Sequence, residues 1–307
     1  MERLRVCCSV ARVAGSTACW FGGHARLRAT RSYTTSVVMI SAAEEGSTRG
    51  DEWQQLVLSA SDGDVFDLSF VFDRNWRRQV WFGAGPSRPC SRRDWCAGIL
   101  PHTFELDNVL SQGECDGIIA LAEEVGFQRP ERGGGIGSSS EGQGELPPDR
   151  MVWVTDLEWC DTVYRRMAGQ LPYIGRYRPI GINPRWRLYR YEPGFGLARH
   201  QDRSFKASAT DLAGQLRYDV LGDGSESLLT LLLYLNEGMG GGGTRLYSIG
   251  AARTFTTVGE VTPRPGSALL FPHGASNPCS VWHAGVPVES GVKYIVRTDV
   301  VYTRVAE

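Results

Sequence analysis

From residue 185 to residue 303, apolar and polar positions alternate with a period of two; between residues 111 and 171 they recur every three or four. Successive side chains of a strand point to opposite faces, so the first pattern predicts strands and the second predicts helices. The expected strands are Arg185–Glu192, Leu228–Leu235, Thr244–Tyr247, Thr254–Val258, Ser267–Phe271, Ser280–Ala284 and Val292–Thr303. Turn-forming clusters separate them: Pro193-Gly194, Gly240 to Gly243, Pro263 to Gly266, Pro272 to Pro278 and Gly285 to Gly291. Upstream, Ser111-Gln-Gly-Glu114 reads as a capping box. Ile118, Ile119, Leu121, Ala122 and Val125 follow at helical spacing, and Gly126 is a stop signal. A second helix is expected from Leu157 to Leu171, with Trp159, Val163 and Met167 on one face and Pro172 ending it. Helices followed by many short strands predict an α+β fold: a sandwich or jelly roll with N-terminal helices packed outside it.

The remaining segments are harder to place. Residues 1–40 carry six arginines against the single acid Glu2, and the expectation is a transit peptide, mitochondrial in type, or a disordered leader on an otherwise cytoplasmic protein. Residues 41–100 form an appended segment in which Phe66–Phe72 alternates as a strand would. The main domain is expected over 101–303. Within it, residues 131–149 are rich in glycine and serine and predict a mobile loop.

Composition narrows the function classes. Of 307 residues, 42% are hydrophobic and 22% charged, an ordinary globular balance. The net charge of −1 offers no overall basic field for nucleic acid or an anionic membrane. The longest apolar stretch, Leu228 to Leu235, has strand length, so no segment reads as a membrane span. The eight cysteines include no CxxC pair, which disfavours a structural zinc site. Among 33 basic residues only Lys206 and Lys293 are lysines, so a lysine at a motif position is not background. Oligomeric state is not legible.

The candidate chemistry centres on few histidines. In His200-Gln-Asp202 an imidazole and a carboxylate stand two residues apart, on one side of a strand. His283 lies on a later expected strand and would complete two imidazoles and one carboxylate, the facial set that binds non-haem Fe(II) and leaves positions open. His273, in Phe271-Pro-His-Gly, is the rival second imidazole. Ten residues after His283, Lys293 starts the last strand with Ile295 and Arg297 on its face. A cation there can pair with the far carboxylate of a 2-oxo acid held on the iron, Arg297 being the alternative. Tyr191 and Tyr234, on neighbouring strands, can add hydroxyl donors.

Several stretches together resemble the prolyl 4-hydroxylase-like branch of the 2-oxoglutarate/Fe(II) dioxygenases. They are Arg187-Leu-Tyr-Arg-Tyr191-Glu-Pro-Gly with its continuation to His200-Gln-Asp202, Leu231-Leu-Leu-Tyr234-Leu-Asn-Glu, the Gly-Gly-Gly-Thr244 turn, Pro265-Gly-Ser-Ala-Leu-Leu-Phe271 and His283-Ala-Gly-Val-Pro through Lys293 to Arg297. The resemblance is dense over 185–303. It implies a double-stranded β-helix, iron held by His200, Asp202 and His283, and 2-oxoglutarate anchored by Lys293 with help from Tyr191 and Tyr234. It further implies O2 as second cosubstrate, L-ascorbate as a support for turnover, and hydroxylation of an unactivated C–H bond with release of succinate and CO2. The substrate would be a prolyl residue or a small metabolite. Two departures, an insert from Ser204 to Glu226 and the Gly-rich 131–149 loop, are expected to border the substrate entrance.

Two other readings share these residues. The same core can carry oxidative demethylation of nucleic acid or protein, although the near-neutral charge disfavours nucleic acid. A β-sandwich module that binds a metal or a partner without catalysis is the third, and Lys293 and the open facial set count against it.

Overall fold

A computed structural model describes residues 6–10, 36–42, 53–60, 66–70, 85–96, 98–127, 148–155, 157–210, 216–222, 224–250, 253–274 and 277–305. The expected Gly-rich loop falls almost wholly outside them. Four strands, β1 (Val6–Val10), β2 (Ser36–Ala42), β3 (Trp53–Ala60) and β4 (Phe66–Phe70), pair in sequence order as an antiparallel sheet. Strand β2 runs across residue 40, where the leader is expected to end.

The main body begins with β5 (Ser91–Asp94), β6 (Phe104–Asp107) and helix α1 (Gln112–Val125). Strand β7 (Asp149–Val154) and helix α2 (Leu157–Met167) follow, then β8 (Tyr177–Ile182), β9 (Arg185–Tyr191) and β10 (Leu197–His200). A hairpin of β11 (Ser208–Thr210) and β12 (Leu216–Tyr218) occupies the insert. The chain closes with β13 (Glu226–Tyr234), β14 (Gly240–Gly241), β15 (Thr244–Ile249), β16 (Phe255–Val261), β17 (Ala268–Pro272), β18 (Trp282–Gly285), β19 (Val288–Ser290) and β20 (Lys293–Arg304). The major sheet has the order β5-β6-β17-β13-β20-β9-β7, with β8 also on β20. The minor sheet has the order β10-β18-β15-β16. The two antiparallel sheets face each other as a jelly roll, with the helices on the outer face of the major sheet.

Period-two alternation divides the side chains of the major sheet between two cores. Leu229, Leu231 and Leu233 of β13, with Val296, Val300 and Tyr302 of β20, pack outward on Ile118 and Ala122 of α1 and Trp159, Val163 and Met167 of α2. Leu232 and Tyr234 of β13, Leu269 and Phe271 of β17 and Ile295 of β20 point inward and meet Leu246, Val261 and Val281 from the other side. Both faces of β13 are covered, which is why its sequence is a near-continuous apolar run. Gly266, ahead of β17, has φ +72, and a Cβ there would meet the Leu110 carbonyl oxygen at 2.1 Å, so this turn admits no side chain.

Helix α1 keeps its expected bounds. The Ser111 hydroxyl accepts from the Glu114 amide, and the Glu114 carboxylate accepts from the Ser111 amide. Helix α2 is shorter than expected: it ends at Met167, and a 3-10 turn (Ala168–Gln170) carries the chain to Pro172, the usual tightening of a last turn. Buried Glu114 also receives both terminal nitrogens of Arg166 (2.9 and 2.8 Å), which fastens α1 to α2. Among the described residues Cys90, Cys96, Cys115 and Cys279 are free thiols. No described helix is long and apolar enough to cross a membrane.

Glu114→Ala removes both the cap and the counter-charge of Arg166, so it is expected to cost about 3–5 kcal/mol. Ser111→Ala, which removes only the cap, is expected to cost about 1 kcal/mol. Denaturant unfolding of the two variants measures the difference.

Candidate metal centre

Three strand ends deliver the ligand candidates into the space between the sheets. His200 is the last residue of β10, Asp202 lies just past it, and His283 is on β18, directly opposite His200 in the antiparallel register. The strand therefore ends two residues earlier than the HxD pattern implies, its pairing is irregular between Leu197 and His200, and Asp202 beyond it still faces the histidines. One donor atom from each of His200, Asp202 and His283 lies within 4.8 Å of the others. His200 Nε2 stands 3.5 Å from Asp202 Oδ1, and His283 Nε2 stands 3.9 Å from Asp202 Oδ2.

Each imidazole is held by its other nitrogen. His200 Nδ1 is 2.8 Å from the Ala198 carbonyl and His283 Nδ1 is 3.2 Å from the Val281 carbonyl, each two residues back along its own strand. Donation from Nδ1–H to those carbonyls fixes the tautomer that leaves both Nε2 lone pairs turned toward Asp202. Burial, and then the neighbouring His200, push His283 down to about 3, so it stays neutral.

The carboxylate is pinned from the opposite side. Thr230 of β13 places its Oγ1 2.7 Å from Asp202 Oδ2, and Arg297 Nε of β20 is 3.3 Å from the same oxygen. Burial alone would raise the Asp202 carboxyl; the Arg297 guanidinium and both histidines outweigh it and hold it well below its usual range. Arg297 also reaches Asp299 at 3.0 Å and the Arg203 carbonyl at 3.1 Å. It lines the same cavity as the triad, but its guanidinium is engaged by these acids.

Lys293 is different. It is 1% exposed, and among the described residues it makes no hydrogen bond or ion pair. Its Nζ lies 4.9 Å from the Tyr191 ring centre and 5.9 Å from that of Tyr234. Burial pushes its ammonium down to about 7. The Tyr234 hydroxyl donates to Thr244 Oγ1 (2.9 Å). Tyr191, Tyr189, Leu232, Thr244, Ile295, Lys293 and Arg297 line one cavity together with His200, Asp202 and His283.

His273 is not in this group. Its ring is buried on the far side of Thr230, with Nδ1 2.8 Å from Thr230 Oγ1 and Nε2 3.0 Å from both oxygens of Ser227. It adjoins the centre through Thr230 and through Asp299, 3.6 Å from its Nδ1, which pairs with Arg297. Thr230 and Thr244 are the residues that sequence reasoning gave no role. Thr244 stood in the quoted Gly-Gly-Gly-Thr turn, and Thr230 was legible only as the polar interruption of an apolar strand.

Residues 186–298 match the family model of the 2OG-Fe(II) oxygenase superfamily. The segment belongs to that superfamily. The protein is thus a 2-oxoglutarate-dependent dioxygenase, and its cofactors are Fe(II), 2-oxoglutarate and O2. Among solved structures, it is similar to the viral collagen prolyl hydroxylase of Paramecium Bursaria Chlorella virus-1, at 20% identity over 66% of this chain and 96% of that one, with a TM-score of 0.40. It is also similar to a Pseudomonas putida prolyl-4-hydroxylase, at 16% identity over 72% and 95%, with a TM-score of 0.39. A prolyl hydroxylase of Trichoplax adhaerens, in complex with a hypoxia inducible factor peptide, is similar at 17% identity over 66% and 84%, with a TM-score of 0.40. The sequence matches none of the curated proteins.

The donor set of this oxygenase fits its metal. Two imidazoles, one carboxylate and no thiolate suit Fe(II) with open positions. Asp202 keeps Oδ1 for the metal because Thr230 and Arg297 occupy Oδ2.

His283→Ala is expected to abolish iron retention, whereas His273→Ala is expected to keep iron bound, with affinity lowered by about tenfold or more through Thr230. Metal analysis of the purified variants after dialysis distinguishes them. Loss of iron from His273→Ala with retention in His283→Ala would contradict the assignment.

Proposed function

We propose that the protein hydroxylates an unactivated C–H bond, with His200, Asp202 and His283 holding Fe(II) and Lys293 anchoring 2-oxoglutarate. The observation that carries this reading is the unpaired, buried ammonium of Lys293, which shares one cavity with the histidine–aspartate group. A buried charge without a counter-ion is costly, and a carboxylate brought in by a ligand relieves the cost. When bound, Fe(II) and 2-oxoglutarate supply the oxidising chemistry: one atom of O2 enters the C–H bond and the other leaves in succinate, with loss of CO2 from the cosubstrate.

The chain's own residues do the positioning. Lys293 pairs with the far carboxylate of 2-oxoglutarate. Tyr191 and Tyr234 flank the ammonium and keep it from wandering. Thr244, which already accepts from Tyr234, has its own hydroxyl proton free for that carboxylate. Leu232, Leu197 and Ile295 make the wall that excludes water. The substrate is a prolyl residue or a small metabolite, the former suggested by the motif resemblance and the latter by the absence of any recognisable peptide-binding repeat in the sequence. Ascorbate supports turnover, and the arginine-rich leader directs the chain to mitochondria.

The reading has a pH signature. Without cosubstrate, Lys293 titrates near 7, below its value of 10.5 in an unfolded chain. Between those values the unfolded state binds more protons, so stability rises with pH across that window. Pairing with a carboxylate raises the ammonium's pKa again, so binding takes up a proton above pH 7. The affinity for 2-oxoglutarate is expected to fall by up to about tenfold per pH unit above 7. Lys293→Met should raise KM for 2-oxoglutarate roughly 10- to 100-fold and abolish that slope, with iron still bound. Succinate formation from Fe(II) and 2-oxoglutarate, followed across pH, tests both. Wild-type protein that holds iron yet forms no succinate would favour the binding-module reading.

A further inference from the structure

A chain of hydrogen-bonding groups runs behind Thr230 to the metal ligand Asp202. His273 is 1% exposed, and its two ring nitrogens face different partners. Nδ1 lies 2.8 Å from Thr230 Oγ1, and Nε2 lies 3.0 Å from both the hydroxyl and the carbonyl oxygen of Ser227. Thr230 Oγ1 is in turn 2.7 Å from Asp202 Oδ2. The Ser227 hydroxyl accepts from the Phe205 amide at 2.8 Å, so the chain of contacts starts in the insert that follows the HxD pair.

The supply of protons sets the direction of these contacts. Ionised Asp202 can only accept, and Thr230 has a single hydroxyl proton. Burial pulls His273 below its ordinary range, so its ring carries one proton. With that proton on Nε2 and given to the Ser227 carbonyl, Nδ1 and Asp202 Oδ2 would compete for the Thr230 proton. The loser would face a buried lone pair at 2.8 or 2.7 Å. With the proton on Nδ1, Ser227 donates to Nε2, Nδ1–H donates to Thr230, and Thr230 donates to Asp202. Every side-chain contact then has its proton. The Asp299 carboxylate, 3.6 Å from Nδ1, favours a proton there as well. The one mismatch is the Ser227 carbonyl, 3.0 Å from the Nε2 lone pair, and there the neighbouring hydroxyl supplies a proton. The other placement leaves a closer mismatch, beside two carboxylates, with no proton between the two atoms.

We propose that His273 is a positioning residue of the metal centre: by donating from Nδ1 to Thr230 it commits the only proton of that hydroxyl to Asp202 Oδ2 and so keeps Oδ1 as the oxygen turned to the metal. The proposal rests on the oxygenase reading above for the identity of the metal, and on the hydrogen-bond geometry alone for the direction of the chain. It also gives the insert a task, because the Phe205 amide orients the Ser227 hydroxyl that feeds the ring.

Two measurements test it. Nitrogen NMR of the metal-free, isotope-labelled protein reads the tautomer of each of the five histidines, and the ring whose signals vanish in His273→Asn is expected to carry its proton on Nδ1. Calorimetry with Mn(II) reads the effect on the centre. Thr230→Val and His273→Leu should each weaken Mn(II) binding roughly 10- to 100-fold. The double variant should bind no more weakly than Thr230→Val alone, because His273 acts through that hydroxyl. Thr230→Ser keeps a hydroxyl and His273→Asn keeps an N–H near the Nδ1 position, so both should retain most of the affinity, with Tm showing that all the variants are folded. A proton on Nε2 alone, additive losses in the double variant, or equal losses in His273→Asn and His273→Leu would overturn the proposal. Wild-type protein with the Nδ1 proton and the coupled losses that forms no succinate from 2-oxoglutarate and Fe(II) would instead overturn the oxygenase reading and leave the positioning role standing.

Discussion

Asp202 has to stay ionised in a space from which water is excluded, and the charges inside the barrel are arranged around that requirement. One oxygen must remain available to a metal between the two imidazoles, so the partners that stabilise the charge are confined to the other. Thr230 and Arg297 approach Oδ2 from β13 and β20, the two central strands of the major sheet. These strands can deliver polar groups inward only because alternation sends their apolar residues outward to α1 and α2. A slip of one residue in the β13–β20 pairing would carry Thr230 or Arg297, whichever strand moved, into the helical layer and take one of its two partners from the carboxylate. The Glu114–Arg166 ion pair, which fastens the two helices over that sheet, therefore bears on the metal centre from the far side of the molecule.

Along β20 the inner face carries two cations, Lys293 and Arg297, four residues and about 13 Å apart. Their different fates divide the interior. Arg297 is tied to two carboxylates, one of them Asp202. Lys293 has aromatic walls and, among the described residues, no ion-pair partner. The residue types suit these tasks. A guanidinium forks across Asp202 and Asp299 at once, whereas an ammonium is a compact charge that fits between two phenol rings. In a chain with 31 arginines and two lysines, a lysine at this one buried position points to a selective need for the smaller cation.

Much of this could be read from the chain, and the unread part has physical causes. Period-two alternation marked the seven longer strands of the β-run to within three residues and did not show the short β11, β12, β14 and β19, while the capping box and Gly126 marked the two ends of α1. The spacing of His200 and Asp202, the later His283 and the rare Lys293 marked residues that the fold does bring to one cavity. What spacing could not reveal was backbone irregularity. β10 stops at His200, so the shared face of the HxD pair comes from a bend in the chain and not from strand geometry. Spacing favoured His283 over His273 only because Lys293 follows it by ten residues; the register, which sets His283 opposite His200 and sends His273 behind Thr230, is what separates them in space. Thr230 showed only as a polar interruption for a related reason: its importance lies in the Asp202 and His273 side chains that surround it, and those contacts are a property of the fold.

The polar interior also explains why this barrel has to be so heavily covered. Lys293, Arg187, Asp202 and Asp299 are charges removed from water, and those left unpaired weigh against folding. The outward core of the two helices and the major sheet, with its large buried Trp159, Trp186 and Tyr302, supplies the compensating apolar burial. The two cores are therefore complementary in purpose. One holds the sheet together so that the other can keep charges waiting for ligands, and each ligand that arrives removes a penalty that the empty protein carries. Binding energy for a carboxylate at Lys293 is in this sense stored in the fold: the cation is already dry and already oriented, so the carboxylate that meets it loses its own water but need not organise a partner.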